Sequence, residues 1–207
     1  MSAAAALERG LEALGLPLAG DAQGKLLEYL ALIEKWNRVY NLTAVREPAQ
    51  MLAHHLLDSL SVAPHLKGAA LADVGSGAGL PGIPLALARP DIAVTLIESN
   101  HKKSAFLKQA AIELALPNVE IVNARVEACD KASRFDVVIS RAFSDLPEFV
   151  ALAGRLCAEG GVLAAMKGVY PYEELAQLPE AYRVREVVPL TVPGLGAERH
   201  LVLIERS

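Results

Sequence analysis

The 207-residue chain carries 20 Lys and Arg against 24 Asp and Glu, a formal net charge of −4 at pH 7, and 53% of its residues are hydrophobic. That apolar content excludes a disordered chain. The acidic balance excludes a bulk electrostatic grip on nucleic acid and leaves room only for a local basic patch assembled by the fold.

The segment 1–67 reads as a helical region. Ala3 to Leu14 is an Ala/Leu/Glu pattern stopped by Gly15 and Pro17. Its start is interrupted by Glu8 and Arg9 and lacks the basic opening and clean apolar run of a secretory signal. From Asp21, a candidate N-cap, Leu26, Leu27, Leu30, Ile33 and Val39 recur at helical spacing. Glu47-Pro48 opens a third helix with Leu52, Leu56, Leu57, Leu60 and Ala63 on its apolar side. No apolar stretch reaches the roughly 18 residues of a membrane span. The two cysteines, Cys129 and Cys157, are too few for a disulfide framework and read as buried thiols. A cytoplasmic chain with no membrane partner is expected.

From residue 68 to 207 the pattern is that of a Rossmann-like α/β domain. Leu71–Val74 is a buried strand closed by Gly75-Ser76-Gly77-Ala78-Gly79-Leu80-Pro81-Gly82, and a helix then runs to Ala88. Ala93–Ile97 is a second strand ending at Glu98, and His101–Leu116 an amphipathic helix with Phe106, Leu107, Ala110, Ala111 and Leu114 inward. Strands follow at Val119–Val122 and Phe135–Ser140, a helix at Leu146–Leu156, a strand at Gly161–Met166 ending in Lys167, and a short helix at Pro171–Leu178. The alternation gives a parallel sheet with helices on both faces. Val184–Leu190 and His200–Ile204 are separated only by Thr191–Ala197 and a few flanking residues, too little for a parallel crossover, so they are expected to pair antiparallel.

The glycine turn admits two ligands. Gly75-x-Gly77-x-Gly79 fits S-adenosyl-L-methionine, while Gly77-x-Gly79-x-x-Gly82 satisfies the dinucleotide pattern. Glu98, about twenty residues on, can accept ribose hydroxyls in either case. Three features favour S-adenosyl-L-methionine. The sheet ends in an antiparallel pair. The tyrosines are followed four residues later by Ile33, Ala44, Glu174, Ala176 and Glu186, never by the Lys of a one-domain dehydrogenase. Asp73, just before the glycines, can orient the loop or meet an ammonium but would repel a pyrophosphate. No Gly-Lys-Ser/Thr of a P-loop occurs. A nicotinamide-dependent oxidoreductase and a non-catalytic nucleotide-binding module are the alternatives.

Side chains bound the methyl acceptor. The place after the fourth strand, where exocyclic-amine methylation often uses Asn/Asp-Pro-Pro-aromatic, holds Ser140-Arg141-Ala142-Phe143, and neither cysteine has the Pro-Cys setting of a pyrimidine-C5 nucleophile. A ring nitrogen with a free lone pair needs neither device and loses no proton on attack, so no essential general base is expected.

In chain order, Asn37-Arg-Val-Tyr-Asn-Leu-Thr43, His55-Leu-Leu-Asp-Ser-Leu60, Asp73-Val-Gly-Ser-Gly-Ala-Gly-Leu-Pro-Gly82, Ser140-Arg-Ala-Phe143 and Met166-Lys-Gly168 resemble the RsmG (GidB) family over nearly the whole chain. The resemblance implies a class I methyltransferase fold: a seven-stranded, mostly parallel sheet with an antiparallel terminal strand, preceded by N-terminal helices. It further implies methyl transfer from S-adenosyl-L-methionine to guanine N7 in the 530 loop of 16S ribosomal RNA, as naked RNA or in the small subunit, in bacterial cytoplasm. By the same resemblance Gly75 and Leu80 line the cofactor, Val126 and Glu127 flank its adenine, and Arg141 stands at the methionine end or the cofactor–substrate boundary. The family often has Asp where this chain has Glu98.

The remaining candidates are read from position. Ser76, Gly77 and Gly79 complete the cofactor loop, and Gly82 lets the next helix pack closely. Lys167 ends a strand in the row of Arg141 and is expected to meet an RNA phosphate or the guanine oxygen, or to be a solvated strand end. Asn37 and Asn41 either contact substrate or brace a helix end. Trp36 and Tyr40 read as core, and Lys102, Lys103 and Lys108 as a solvated helix face. His54-His55 reads as two helix faces and not as a metal site, and His55 with Asp58 as a helix-surface or inter-domain hydrogen bond rather than a catalytic pair; no metal is expected.

Overall fold

The structure, a computed structural model, describes residues 2–132, 134–141, 143 and 145–207; Ala142 of the Ser140–Phe143 motif lies outside the described residues. Helix α1 (Ala3–Ala13) starts at Ser2, whose hydroxyl accepts from Ala5 N–H. Helix α2 (Gly20–Tyr40) starts at Ala19 with no side-chain cap, so Asp21 is not the N-cap; it lies in the first turn, where its charge suits the helix dipole. Leu26, Tyr29, Ile33, Trp36 and Tyr40 face the core at alternating steps of three and four. Val39 falls outside that stripe and is 73% exposed, contrary to the sequence expectation.

The third helical segment is not one α-helix. Residues α3 (Pro48–Met51) and α4 (Asp58–Leu60) flank a π-helical stretch, Leu52–Leu57, which contains both His54 and His55. Such π insertions shift the side-chain phase within a helix and recur at functional sites.

Strands β1 (Ala70–Val74), β2 (Ala93–Ile97), β3 (Val119–Val122), β4 (Phe135–Ser140), β5 (Cys157–Lys167), β6 (Tyr182–Pro189) and β7 (His200–Arg206) form one sheet in the order β3-β2-β1-β4-β5-β7-β6. The pairs among β1 to β5 are parallel. Strand β7 is antiparallel to both β5 and β6, which agrees with the pairing expected for the last two strands.

Two boundaries differ from expectation in one place. Helix α7 (Leu146–Ala153) stops before a 3-10 turn, and β5 begins at Cys157, not Gly161. Between Cys157 and Val162 the β4–β5 register shifts, with Gly160 at φ 73°. The Gly160-Gly161 pair therefore makes a bulge inside a longer strand and not a turn before it.

The sheet has two apolar faces. Leu71, Leu96, Ile139, Ala164 and Leu203 pack with α1, α2, α5 (Gly82–Ala88) and α6 (His101–Glu113). Ala72, Val74, Val138, Leu163 and Ile204 pack with Phe149, Val150 and Ala153 of α7 on the other side. The N-terminal helices thus share a core with the sheet. Tyr29 of α2 is fully buried and donates its hydroxyl to Ala78 O at 2.5 Å, inside the glycine turn. Burial raises that hydroxyl well above the ordinary phenol range, which keeps it a donor.

Candidate active site

The strand order reverses between β1 and β4, and the crevice of an open α/β sheet lies at such a point, beyond the carboxyl ends. The glycine turn occupies this place. Gly75, Gly77 and Gly79 have φ of 69°, 59° and 89°, values that glycine alone adopts at little cost. Gly75 and Ser76 N–H donate to Ile97 O, and Ser76 Oγ donates to Asp73 O at 2.9 Å, so the turn is laced to the ends of β1 and β2. A Cβ on Gly77 would meet nothing nearer than Gly75 O at 3.9 Å, which leaves this side of the loop open to a ligand.

Two carboxylates hold the loop. Glu98, 7% exposed, accepts from Gly77 N–H at 2.8 Å through Oε2 and from Asn100 N–H at 2.7 Å through Oε1. Each oxygen keeps a further acceptor site for a ribose hydroxyl. Asp73, fully buried, accepts from Gly82 N–H at 2.9 Å through Oδ2, while its Oδ1 has no partner among the described residues. Burial pushes the Asp73 carboxyl up to about 7; the Gly82 hydrogen bond and the Arg141 charge pull it down, and Glu98 pushes it further up.

At the outer edge, Asn123 donates to Glu98 O and ties the ends of β2 and β3. Val126 is buried and Glu127 exposed on a short 3-10 turn. Arg155 donates to Val126 O at 2.7 Å and Glu127 O at 2.9 Å and fixes that turn. Arg155 was not a candidate from sequence, because nothing local links it to a turn 28 residues earlier.

On the other side of the switch point, Ser140 Oγ donates to Val74 O at 2.8 Å and Arg141 follows it directly. The Arg141 guanidinium donates to His54 O at 3.1 Å and Asp58 Oδ2 at 3.2 Å. Asp58 is 2% exposed and also accepts from Arg199 Nε at 2.9 Å, so one buried carboxylate holds two guanidiniums. The His55–Asp58 hydrogen bond expected from the sequence is not among these contacts. Both residues are buried, and Asp58 turns to the arginines.

These groups line a cleft of about 350 Å³ together with Thr43, His54, His55, Met166, Lys167 and Gly168. Both histidines are among the residues that line this cleft. Lys167 is not a solvated strand end: its side chain is 12% exposed and pairs with Glu174 Oε2 at 2.7 Å, on α8 (Tyr172–Ala176).

Asn37 lies apart from that lining and braces a loop. Its amide accepts from Thr43 N–H at 2.9 Å and donates to Thr43 O at 3.1 Å, while Asn41 ends α2 at φ 49°. Of the two roles open to this pair, the bracing one describes these contacts. Trp36 packs on Tyr40 and Phe106, with ring centroids 5.2 and 5.8 Å apart, as core. Lys102 and Lys108 are exposed on α6, whose N-terminus is capped by Asn100. Among the described residues no group of three or more His, Cys, Asp and Glu is placed to hold a metal, and no helix is long and apolar enough to cross a membrane.

The sheet order, the glycine turn after β1 and the acid after β2 define a class I methyltransferase. Solved structures share that fold. A SAM-dependent methyltransferase from Aquifex aeolicus superposes with a TM-score of 0.62 at 18% identity, covering 79% of this chain and 96% of its own. The M. jannaschii TYW2 in complex with AdoMet gives 0.55 at 19%, covering 72% and 77%. At the level of sequence, the chain belongs to the GidB family, rRNA small subunit methyltransferase G, whose model matches residues 22–202. It is 60% identical over 214 aligned positions to the ribosomal RNA small subunit methyltransferase G of Nitrosospira multiformis, covering 100% of this chain and 99% of that one. It is 58% identical to the protein of the same name from Aromatoleum aromaticum, covering 99% of both. The oxidoreductase and non-catalytic readings are thereby set aside.

The two registers of the glycine turn can be separated by substitution. Gly77→Val is expected to weaken cofactor binding more than about 100-fold, since it forces a β-branched residue into positive φ and fills the open side of the loop. Gly82→Ala puts a methyl 2.8 Å from Asp73 Oδ2 and against Leu96, and is expected to cost about 1–3 kcal/mol of stability instead. Calorimetric titration alongside urea melts distinguishes the two. Equal loss of binding at both positions would return Gly82 to the ligand site.

Proposed function

We propose that this chain transfers a methyl group from S-adenosyl-L-methionine to guanine N7 in the 530 loop of 16S ribosomal RNA. The observation that carries the reading is the junction at the β1–β4 switch point, where a laced glycine loop with an open face adjoins an arginine-lined cleft, in a chain of the small-subunit rRNA methyltransferase family.

The residues present fit the cofactor. The open side of Gly77 and the unpartnered, buried Asp73 Oδ1 are a surface and an acceptor that the protein's own contacts leave unused. When bound, S-adenosyl-L-methionine supplies an electrophilic methyl group on a sulfonium. Gly75, Ser76, Gly77, Gly79 and Leu80 would hold it through the loop backbone, and Glu98 through its free lone pairs to the ribose. Val126 and Glu127 would flank the adenine, and Arg141 would border the methionine end. Guanine N7 attacks with a lone pair and carries no proton, so no side chain has to remove one. What the chain must do is orient the base and exclude competing nucleophiles. Arg141, Arg199 and Lys167, each anchored by a carboxylate, form the local cationic patch that the net charge of −4 leaves room for. Asn37, with both amide atoms engaged by Thr43, would act on substrate only through the loop it braces.

The test is incorporation of labelled methyl from S-adenosyl-L-methionine into naked 16S RNA and into small subunits that lack the modification, with the modified base mapped. Calorimetry with S-adenosyl-L-methionine against NAD(H) runs beside it. Tight cofactor binding with no methyl entering either substrate would remove the RNA assignment.

A further inference from the structure

The cleft at the ends of β4 and β5 is rich in hydrogen-bond donors. Arg141, Lys167 and Arg199 donate only, and the Asp58 carboxylate is taken by the two arginines. Thr43 Oγ1 already accepts from Val45 N–H. A guanine base, however, presents donors as well as acceptors. Its N7 and O6 accept, but its N1–H and 2-amino group donate, and a site that buries it must answer both.

His55 is the side chain that stands out against this need. It lines the cleft, is 3% exposed, and neither ring nitrogen makes a well-formed hydrogen bond among the described residues, the His54 main chain offering only a weak one. A buried polar group without a partner is costly, and native proteins keep such groups where a ligand or solvent completes them. The residue sits in the π-helical stretch, the one irregular turn of its helix, and is followed three residues later by Asp58, the anchor of Arg141 and Arg199.

We propose that the imidazole of His55 reads the Watson–Crick edge of the target guanine inside this cleft, accepting from N1–H or the 2-amino group. The inference rests on the guanine-methylating reading above. A neutral imidazole has one acceptor and one donor nitrogen, so it meets a base edge that the surrounding cations cannot. The environment holds it neutral. Burial lowers its pKa to about 4, with the Arg141 charge next; His54 contributes through its main chain, which leans the other way, and through its charge, and Asp58 opposes weakly. The charged and titratable groups that share the cleft with it are His54, Asp58, Arg141, Lys167 and Arg199.

The test pairs residue and base. Small-subunit RNA is prepared with guanine, inosine (no 2-amino group) or 2-aminopurine (neither N1–H nor O6) at the target position, and kcat/KM for methyl transfer is measured with the wild type, His55→Ala and His55→Asn. His65→Gln, half-buried and outside the cleft, is the control. Wild type is expected to disfavour at least one analogue about tenfold, the effect of one lost hydrogen bond. His55→Ala is expected to lose about that factor on guanine and to discriminate about tenfold less against that analogue. His55→Asn should restore part of the preference, and His65→Gln should keep all of it. Calorimetric affinity for S-adenosyl-L-methionine should stay within about twofold in each variant.

If His55→Ala slows all three bases equally, or not at all, the proposal is overturned. If the variants do not fold, the wild type decides alone: equal rates on guanine and both analogues overturn it. If the wild type methylates no ribosomal RNA, the guanine-methylating reading fails first and the proposal falls with it.

Discussion

Asp58→Asn is expected to lower the rate of methyl transfer by at least about 100-fold and to cost about 2–3 kcal/mol of stability, more than a surface ion pair is worth. Asp58 is 2% exposed, and its two oxygens take Arg141 at 3.2 Å and Arg199 at 2.9 Å. Removing one partner of a buried pair leaves charge without compensation, typically worth about 3–5 kcal/mol. Here the arginine side chains are 29% and 23% exposed, so water screens part of that loss and the lower range applies. The kinetic loss is larger because both guanidiniums lose their fixed direction into the cleft, and small misplacements are expensive in a reaction that depends on orientation. Urea melts at constant m-value give the first number, and single-turnover methylation gives the second. Cofactor affinity should move less than the rate, since Asp58 touches no part of the glycine loop. A cycle with Arg199→Gln checks the coupling: the double variant should lose less than the sum of the singles. A variant indistinguishable from wild type in both assays would reduce the cluster to a decoration of the cleft.

This cluster also shows where sequence reasoning stops. Asp58, Arg141 and Arg199 are 83 and 141 residues from their partners, and no local pattern links them. The parallel strands, by contrast, announce themselves as short apolar runs between helical patterns, and the glycine loop by alternate glycines that need positive φ. The antiparallel ending was legible because the nine residues between Leu190 and His200 are fewer than the dozen or more of a parallel crossover. Lys167 was read as meeting the RNA or as a solvated strand end; its partner Glu174 comes from α8 and was not visible from the strand alone. Tyr29 carried no signal in the sequence, and only the packing of α2 on the turn shows its hydroxyl on Ala78 O. The bulge at Gly160 was misread for a related reason. A glycine pair signals a break in the chain's regularity but does not say whether the strand resumes. Local chemistry is legible in the sequence, while contacts between distant segments become visible only once the sheet has been assembled.

Asp73→Asn is the second large effect, and it has opposite signs for stability and binding. Burial holds the Asp73 carboxyl up at about 7 in the folded chain, against 3.8 for its ordinary value. Between those two pH values the folded state keeps a proton that the unfolded chain has lost, so this residue makes stability fall as pH rises through that window and then level off. Three pH units correspond to at most about 4 kcal/mol. An asparagine keeps an acceptor for Gly82 N–H and has no charge to bury. The unliganded variant is therefore expected to equal or trail the wild type near pH 4, and to exceed it by about 1–4 kcal/mol at pH 8. With S-adenosyl-L-methionine the order should reverse. An ionised Asp73 Oδ1 is the group that can meet the cofactor's ammonium, and its loss should weaken binding about 10- to 100-fold, most clearly above pH 7. Thermal melts from pH 4 to 8, with and without the cofactor, measure both effects in one series. A stability difference that does not change with pH would refute the raised pKa. Undiminished cofactor affinity would leave Asp73 as a brace for Gly82 alone. Seeing both trends would identify a site in which folding stability is given up for a charge held ready to bind.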